Sequence, residues 1–310
     1  MISDSGAELL AEVHRGGVVE SRHNGHLILL TAQGRVQLFR GNPSLLVYPR
    51  SAIKSIQASA MVRSGMQLAP RLLALVASSH SGSEMHQSAA REILSLANLD
   101  ESSLQNATDR PLGEEDRIKW GSNPATSLAQ NCSGKHSGML LTCVVNGWPT
   151  DSYLDPEHPL QVACRTELET LAQEGVSTVS IDGCGAPLFL ISLHGLARSI
   201  YNLTISNDPI HQGVLRACRE FPEMVAGEGR WATRKMREIP GLFLKEGAEG
   251  VLIASLPDGR SIALKIDDGS SRAVAPLLVA ALRAFGIDSI SESAPIFGGK
   301  KIVGSIRANI

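Results

Sequence analysis

The chain has 310 residues, 43% of them hydrophobic, 19% charged and only 4% aromatic, and its 29 basic against 31 acidic side chains leave a formal net charge of -2. This composition suits a soluble globular protein and argues against a disordered, collagen-like or coiled-coil chain. The balance of charge disfavours a nucleic-acid coat or a polybasic membrane binder, and the scarcity of aromatics disfavours a surface that stacks bases or sugars. The longest apolar runs, Leu27–Leu30, Leu72–Ala77 and Ala273–Leu282, fall well short of a bilayer span. The opening stretch MISDSGAELLAEV has no basic segment followed by an apolar run, so no secretory signal is expected. Cys132, Cys143, Cys164, Cys184 and Cys218 are sparse, odd in number and without a Cys-x-x-Cys pair, as in a cytoplasmic protein with reduced thiols.

No repeat, low-complexity tract or long linker divides the sequence, and 1–310 reads as a single domain. Strands dominate the first 50 residues. Glu12–Glu20 is interrupted by Gly16-Gly17, and His26–Thr31 pairs with Arg35–Phe39 across Ala32-Gln33-Gly34. Leu45–Tyr48 gives a short strand broken by Pro49, and a helical pattern starts near Ser51. Met85, Ala89, Ile93, Leu96 and Ala97 recur near helical spacing within Ser83–Asn98. Leu160, Cys164, Leu168 and Leu171 form a clearer stripe, with Gly175 as its stop. The β-branched segment Val176–Ile181 reads as a strand entering Asp182-Gly183-Cys184-Gly185. Pro257-Asp258-Gly259 marks a hairpin between Gly250–Ser255 and Ser261–Ile266, and Val274, Leu278, Leu282 and Phe285 mark a last helix. This order predicts an α+β fold, a mixed sheet packed with helices.

Five clusters can carry chemistry. In Pro49-Arg50-Ser51-Ala52-Ile53-Lys54, a helix starting near Ser51 puts positions three apart on one face, where hydroxyl and amine can meet. Serine is a poor nucleophile until a base takes its proton, and lysine is that base only where burial or another cation lowers its pKa. The plainer reading is an N-cap serine and a solvated lysine. Ser78-Ser79-His80-Ser81-Gly82-Ser83 either supplies hydroxyls to a pocket or caps the next helix. Asn131–Gly138 reads as a tight loop feeding a helix through Met139-Leu140-Leu141; position 129 is not glycine, so the spacing of a phosphate-binding loop is absent. Ile181–Pro187 sets Cys184 between glycines at a strand end. With a nitrogen donor, Cys132 and Cys184 can hold zinc with one position open; two unrelated small residues or a redox pair are the alternatives. Last, Glu223–Arg230 precedes Lys245-Glu246-Gly247, and a Lys-x-Gly entering a strand downstream of Ser-x-x-Lys also occurs in penicillin-recognising serine enzymes.

Arg15-Gly16-Gly17-Val18-Val19-Glu20, Gly41-Asn42-Pro43, Arg50–Lys54, Ser79-His80, Asn131–His136, Asp182-Gly183-Cys184, Met224–Arg230, Lys245 and Lys265-Ile266-Asp267-Asp268-Gly269 together resemble the asparaginase II family, the thermolabile, rhizobial-type L-asparaginases. The resemblance covers most of the chain. It implies a fold of the serine β-lactamase and glutaminase kind, hydrolysis of L-asparagine to L-aspartate and ammonia, and a homodimer. By position it implies Ser51 as nucleophile with Lys54 as its base, and Ser79 with Lys245 as a second pair in the same pocket. It further implies a Zn2+ site at Cys132, Lys135 and Cys184 that shapes the pocket rather than activating water, with Asp182 helping to hold the substrate. A lysine ligand must give up its proton, which the charge of zinc promotes. Arg50 and Arg230 are equal candidates for the substrate carboxylate. One departure is that the family commonly has an acidic residue four positions after the Ser79 equivalent, where this chain has Ser83 followed by Glu84.

Three rivals stand beside this reading. A glutaminase differs by one methylene, worth about 1–3 kcal/mol of discrimination. A penicillin-recognising hydrolase is disfavoured by the absence of Ser-Asp-Asn and Lys-Thr-Gly in the expected order. A non-catalytic zinc-binding protein on the same scaffold is the third. Neither nucleic acid nor membrane is expected as a partner.

Overall fold

The computed structural model describes residues 6–288 and 294–310. Glu8–Arg15 (β1) and Val18–Leu30 (β2) fold back on each other across Gly16-Gly17, both at positive φ, as a two-residue turn between twisted strands requires. β2 changes character along its length. Val18–Arg22 alternates between exposed and half-buried, whereas Gly25–Leu30 is buried without interruption because neighbours cover both of its faces. Val36–Arg40 (β3) joins β2 in the expected hairpin, with Leu27 opposite Arg40 and Leu30 opposite Val36. Leu46–Val47 (β4) lies against Pro187–Ser192 (β6), which also pairs with Thr178–Ile181 (β5), giving a small three-stranded sheet.

Phe243–Gly247 (β7), Val251–Ser255 (β8) and Ser261–Ile266 (β9) form a meander whose second turn is Pro257-Asp258-Gly259. Pro295–Gly298 (β10) and Lys301–Ala308 (β11) close the chain with a hairpin the sequence pattern did not give away. These strands sit at the sheet edge with both faces partly exposed, so they carry little alternation. The main sheet runs β10-β11-β1-β2-β9-β8-β7, with β3 also on β2. The expected α+β fold, a sheet packed with helices, is what the chain adopts, and every strand pairing among the described residues is antiparallel. Hairpins supply most neighbouring pairs, and a hairpin can join only antiparallel strands.

Between β4 and β7 the chain is mostly helical. A 3₁₀ turn, Arg50–Ile53, runs into Lys54–Arg63 (α1), followed by Pro70–Val76 (α2), Glu84–Leu96 (α3), Glu114–Trp120 (α4), Ser133–Asn146 (α5) and Pro159–Ala172 (α6). Leu193–Ile205 (α7), Pro209–Glu220 (α8), Pro222–Val225 (α9) and Trp231–Glu238 (α10) come next, and Val274–Ala284 (α11) follows the meander. α7 and α11 lie against the sheet, while α5, α6 and α8 surround α1. Lys54–Met61 is buried on every side. Ser55, Ala58, Ser59 and Ala60 keep α1 thin enough for its neighbours to close in, and Ser59 Oγ donates to the Ser55 carbonyl rather than remaining unmatched. No helix among the described residues is long and apolar enough to cross a membrane.

Two local readings change. The stripe through Leu171 ends not at Gly175 but at Gln173, which takes the left-handed conformation itself (φ 54). The Asn131–Gly138 loop is in fact the cap and first turns of α5, beginning at Ser133. Its glycines serve packing: a Cβ on Gly134 would lie 2.6 Å from the Leu75 carbonyl oxygen.

Two of the motif stretches brace the sheet. Asn42 N–H donates to His26 Nδ1 (2.8 Å), so His26 Nε2–H donates to Asp267 Oδ1 (3.1 Å), tying Gly41-Asn42-Pro43 through β2 to the end of β9. Gly41 has φ +69, and an added Cβ would stand 2.4 Å from His26 Nδ1 and 2.7 Å from the Gly25 carbonyl oxygen. Gly41→Ala is therefore expected to lower stability by about 2–4 kcal/mol, combining a left-handed alanine with overpacking. Urea unfolding should show a lower midpoint with an unchanged slope.

Candidate active site

The Lys54 side chain, at the start of the buried α1, is only 1% exposed. Its Nζ donates to the Ser78 carbonyl (2.6 Å) and lies 3.2 Å from Ser79 Oγ and 3.0 Å from Cys132 Sγ. Lys245, on β7 and 2% exposed, approaches Ser79 from elsewhere: its Nζ is 2.8 Å from Ser79 Oγ and donates to the Glu246 carbonyl at 2.8 Å. One hydroxyl thus stands between two buried amines, and among the described residues no carboxylate forms an ion pair with either. Burial, reinforced by the charge of Lys54, pushes the Lys245 pKa down to about 7.

Ser51 lies in the 3₁₀ turn, half-buried, and its carbonyl accepts the Lys54 N–H. Its hydroxyl makes no hydrogen bond among the described residues, and the Lys54 amine is engaged by Ser78, Ser79 and Cys132. The turn has a distinctive backbone. Arg50 adopts φ 52, a left-handed conformation that costs a non-glycine residue about 1–2 kcal/mol. Arg50 Nε donates to Asp182 Oδ1 at 2.7 Å, which holds the turn. Gly247 lets the end of β7 press against it, since a Cβ there would sit 2.6 Å from the Pro49 carbonyl oxygen. The spacing Lys245-Glu246-Gly247 follows from strand geometry: alternate residues share a face, the first reaching Ser79 and the third making room for Pro49-Arg50.

Cys132 is the N-cap of α5 and Cys184 lies in the tight β5–β6 turn, where Asp182 N–H donates to the Ala186 carbonyl. Both thiols are nearly inaccessible, 3% and 2% exposed. The Cys132 thiol donates to Asn131 Oδ1 at 3.5 Å, and Lys135 Nζ lies 3.3 Å from Cys184 Sγ. Interaction with Cys184 and burial push the Cys132 pKa up to about 12, so its thiol keeps its proton. Interaction with Cys132 pulls Cys184 down to about 4; burial opposes this, and the charges of Lys135 and Lys54 assist it. For Lys135, burial works against the charge, but Cys184, Cys132 and Asp182 outweigh it and raise the pKa. Burial alone would raise Asp182, yet Lys135 and the bond from Arg50 hold it below the ordinary carboxylate range.

Cys132, Lys135 and Cys184 lie in one buried neighbourhood, with Lys135 against Cys184. No group of three His, Cys, Asp or Glu suited to a metal occurs among the described residues, because this set takes its third donor from lysine. With Zn–S of about 2.3 Å and Zn–N of about 2.0–2.1 Å, a tetrahedral S···N edge is about 3.5 Å, close to the Lys135–Cys184 separation of 3.3 Å.

The two candidate arginines part company. Arg50 faces Asp182, whereas Arg230 Nη2 lies 3.3 Å from Glu246, which also accepts from Trp231 Nε1 (2.9 Å). Neither Glu246 and Trp231 nor the ring of His80 stood out as site components in the sequence, since each acts through a partner distant in the chain. A cavity of about 770 Å³ lined by Ser81, Gly82, Trp120, Arg230 and Trp231 adjoins this region but includes none of Ser51, Lys54, Ser79 or Lys245. For the thiol pair, metal-free protein should keep one thiolate at neutral pH, visible as absorbance near 240 nm that disappears only as the pH falls toward about 4. Cys132→Ser/Cys184→Ser should lack this band, and its absence from the parent protein at pH 7 would contradict the lowered pKa of Cys184.

A family model described as L-asparaginase II matches residues 11–302. No curated protein matches the chain. Among solved structures, the chain is similar to Mglu in its native form, at 14% identity and a TM-score of 0.47, covering 86% of this chain and 66% of that one, so it spans about two thirds of Mglu. It is also similar to a beta-lactamase from Mycobacterium bovis, at 15% identity and a TM-score of 0.46, covering 84% of this chain and 93% of that one. The family match takes in every candidate residue from Arg50 to Lys245 and supports an amidohydrolase activity on a small-molecule substrate: the chain belongs to the L-asparaginase II family.

Proposed function

We propose that this amidohydrolase is an L-asparaginase that opens the side-chain amide of L-asparagine through an ester on Ser51, releasing ammonia and then L-aspartate. The observation that carries the reading is the buried chain Lys54–Ser79–Lys245, which begins one helical turn from Ser51. Ser51 Oγ attacks the amide carbon as Lys54 takes up its proton. Ser79, within reach of both amines, passes a proton on to Lys245, whose pKa near 7 suits it to accept and return one. The leaving nitrogen takes a proton back and departs as ammonia, and water then cleaves the ester to give aspartate and restore the Ser51 hydroxyl.

Arg50 and Asp182 suit the two charges of an α-amino acid, the guanidinium taking the carboxylate and the carboxylate taking the ammonium. They are already paired at 2.7 Å, so substrate exchanges one set of charge-assisted bonds for another. Cys132, Lys135 and Cys184 would hold zinc, which when bound supplies a fixed positive charge and a rigid wall beside the substrate. A homodimer and a cytoplasmic location are part of the same proposal.

Ser51→Ala and Lys54→Ala should each lower ammonia release from L-asparagine by at least about 10³-fold while the fold is kept. L-Glutamine and D-asparagine assayed alongside would measure selectivity, and near-parent turnover in either variant would remove the dyad. The parent rate should rise as the pH passes upward through about 7, because Lys245 accepts a proton only in its neutral form, above its pKa. A rate flat across that range would remove Lys245 from the relay. Metal analysis should find about one zinc per chain, lost in Cys132→Ser and Cys184→Ser.

A further inference from the structure

We infer that His80 is a positioning residue that keeps the Ser79 hydroxyl and the Cys132 thiol in register around Lys54; its catalytic consequence rests on the reading of Ser51 and Lys54 given above. His80 is completely buried and reaches none of the reacting groups itself. Its backbone N–H donates to the Asn131 carbonyl (3.2 Å), and its ring Nε2 bonds Ser133 Oγ (2.9 Å). One residue thus grips the chain immediately before and immediately after Cys132. Gly82 N–H donates to Nδ1 (3.1 Å), which makes Nδ1 the acceptor and leaves Nε2–H to donate to Ser133.

The ring cannot turn freely. It stacks on His86 with centroids 4.9 Å apart and planes 12° apart, and His86 is fixed in turn by Ser83 Oγ (2.6 Å) and the Glu223 carbonyl (2.9 Å). Ser79 is held from its other side by its N–H to the Val225 carbonyl (3.0 Å). The hydroxyl at 3.2 Å and the thiol at 3.0 Å from Lys54 Nζ therefore sit on two chain segments that a single buried imidazole joins. Without that joint each segment is free to move relative to Lys54, and displacement of about 1 Å is enough to cost a reaction about 10²-fold.

The test uses the full-length protein and His80→Asn, His80→Gln, Ser133→Ala and His80→Asn/Ser133→Ala. Glutamine restores an N–H donor near the place of Nε2; asparagine is too short to reach Ser133. Two quantities are read: kcat and KM for ammonia release from L-asparagine, and the rate of Cys132 alkylation by iodoacetamide with a chelator present, resolved from the other cysteines by peptide mass spectrometry. His80→Asn and Ser133→Ala should each lower kcat about 10–100-fold with KM within about twofold. The double variant should fall no further than the worse single one, because both remove the same bond. Cys132 should react at least about tenfold faster in His80→Asn and Ser133→Ala, and His80→Gln should return both quantities to within about fivefold of the parent. Losses that multiply in the double variant, glutamine that behaves like asparagine, or alkylation unchanged in Ser133→Ala would each overturn the assignment. Ser133→Ala breaks the bond without touching the histidine, so it decides the matter even where a His80 variant does not fold. Turnover retained in Ser51→Ala would remove the proposed nucleophile, while the alkylation rates would still read the hold of His80 on Cys132.

Discussion

The governing constraint is the burial of positive charge. Lys54, Lys135 and Lys245 are each 1–2% exposed, and an ammonium taken out of water without compensation costs several kcal/mol. Compensation here is scarce and uneven. Lys135 has the Cys184 sulfur and the nearby Asp182 charge, Lys54 has a carbonyl, a hydroxyl and a thiol, and Lys245 has a carbonyl and the hydroxyl it shares with Lys54. The balance of negative charge lies on the sulfur side of the pocket. Lys245 lies farthest from it in bonding terms, and burial together with the charge of Lys54 pushes its pKa down to about 7. An amine poised near neutral pH is thus produced by withholding a counter-charge.

The scaffold makes this burial possible. α1 brings Lys54 into the centre of the helical layer because its own neighbours along the chain are small. α5 presents Cys132 at its N-terminus, where the helix dipole favours a thiolate nearby, and Lys135 one turn later. β7 delivers Lys245 at the sheet edge, and the β5–β6 turn delivers Asp182 and Cys184. None of these elements contributes more than two of the groups, so the geometry depends on how the helices seat against the two sheets.

What the sequence disclosed and what it hid follow from the range of each interaction. The β2–β3 and β8–β9 hairpins were readable because their turns and alternation lie within a few residues of one another. The start of α5 was not. Cys132–Gly138 is rich in small polar residues and glycine, which suggest a loop, and only tertiary packing against Leu75 and Val76 makes those glycines fit a helix. The edge hairpin β10–β11 lacked a buried face to create a period. In the site, motif order identified Ser51, Lys54, Ser79 and Lys245 together, and the fold brings the last three into one bonded chain. The bond between His80 and Ser133, and the hold of Glu246 by Arg230 and Trp231, join separate segments and leave no periodic mark.

The placement of the amines also bears on how they would divide the labour in the proposed reaction. Two amines bonded to one oxygen repel each other as cations, so the pair holds one charge more readily than two. Repulsion is mutual and does not by itself say which amine gives way; the surroundings do. Lys54 has the extra partner in Cys132 Sγ, and burial acts on Lys245 with no such partner to offset it. A proton taken from Ser51 therefore need not remain on Lys54. In the proposed reaction it is balanced by transfer through Ser79 to Lys245 and recovered when the leaving nitrogen requires it, which would make the second Ser/Lys pair the reservoir that completes the cycle.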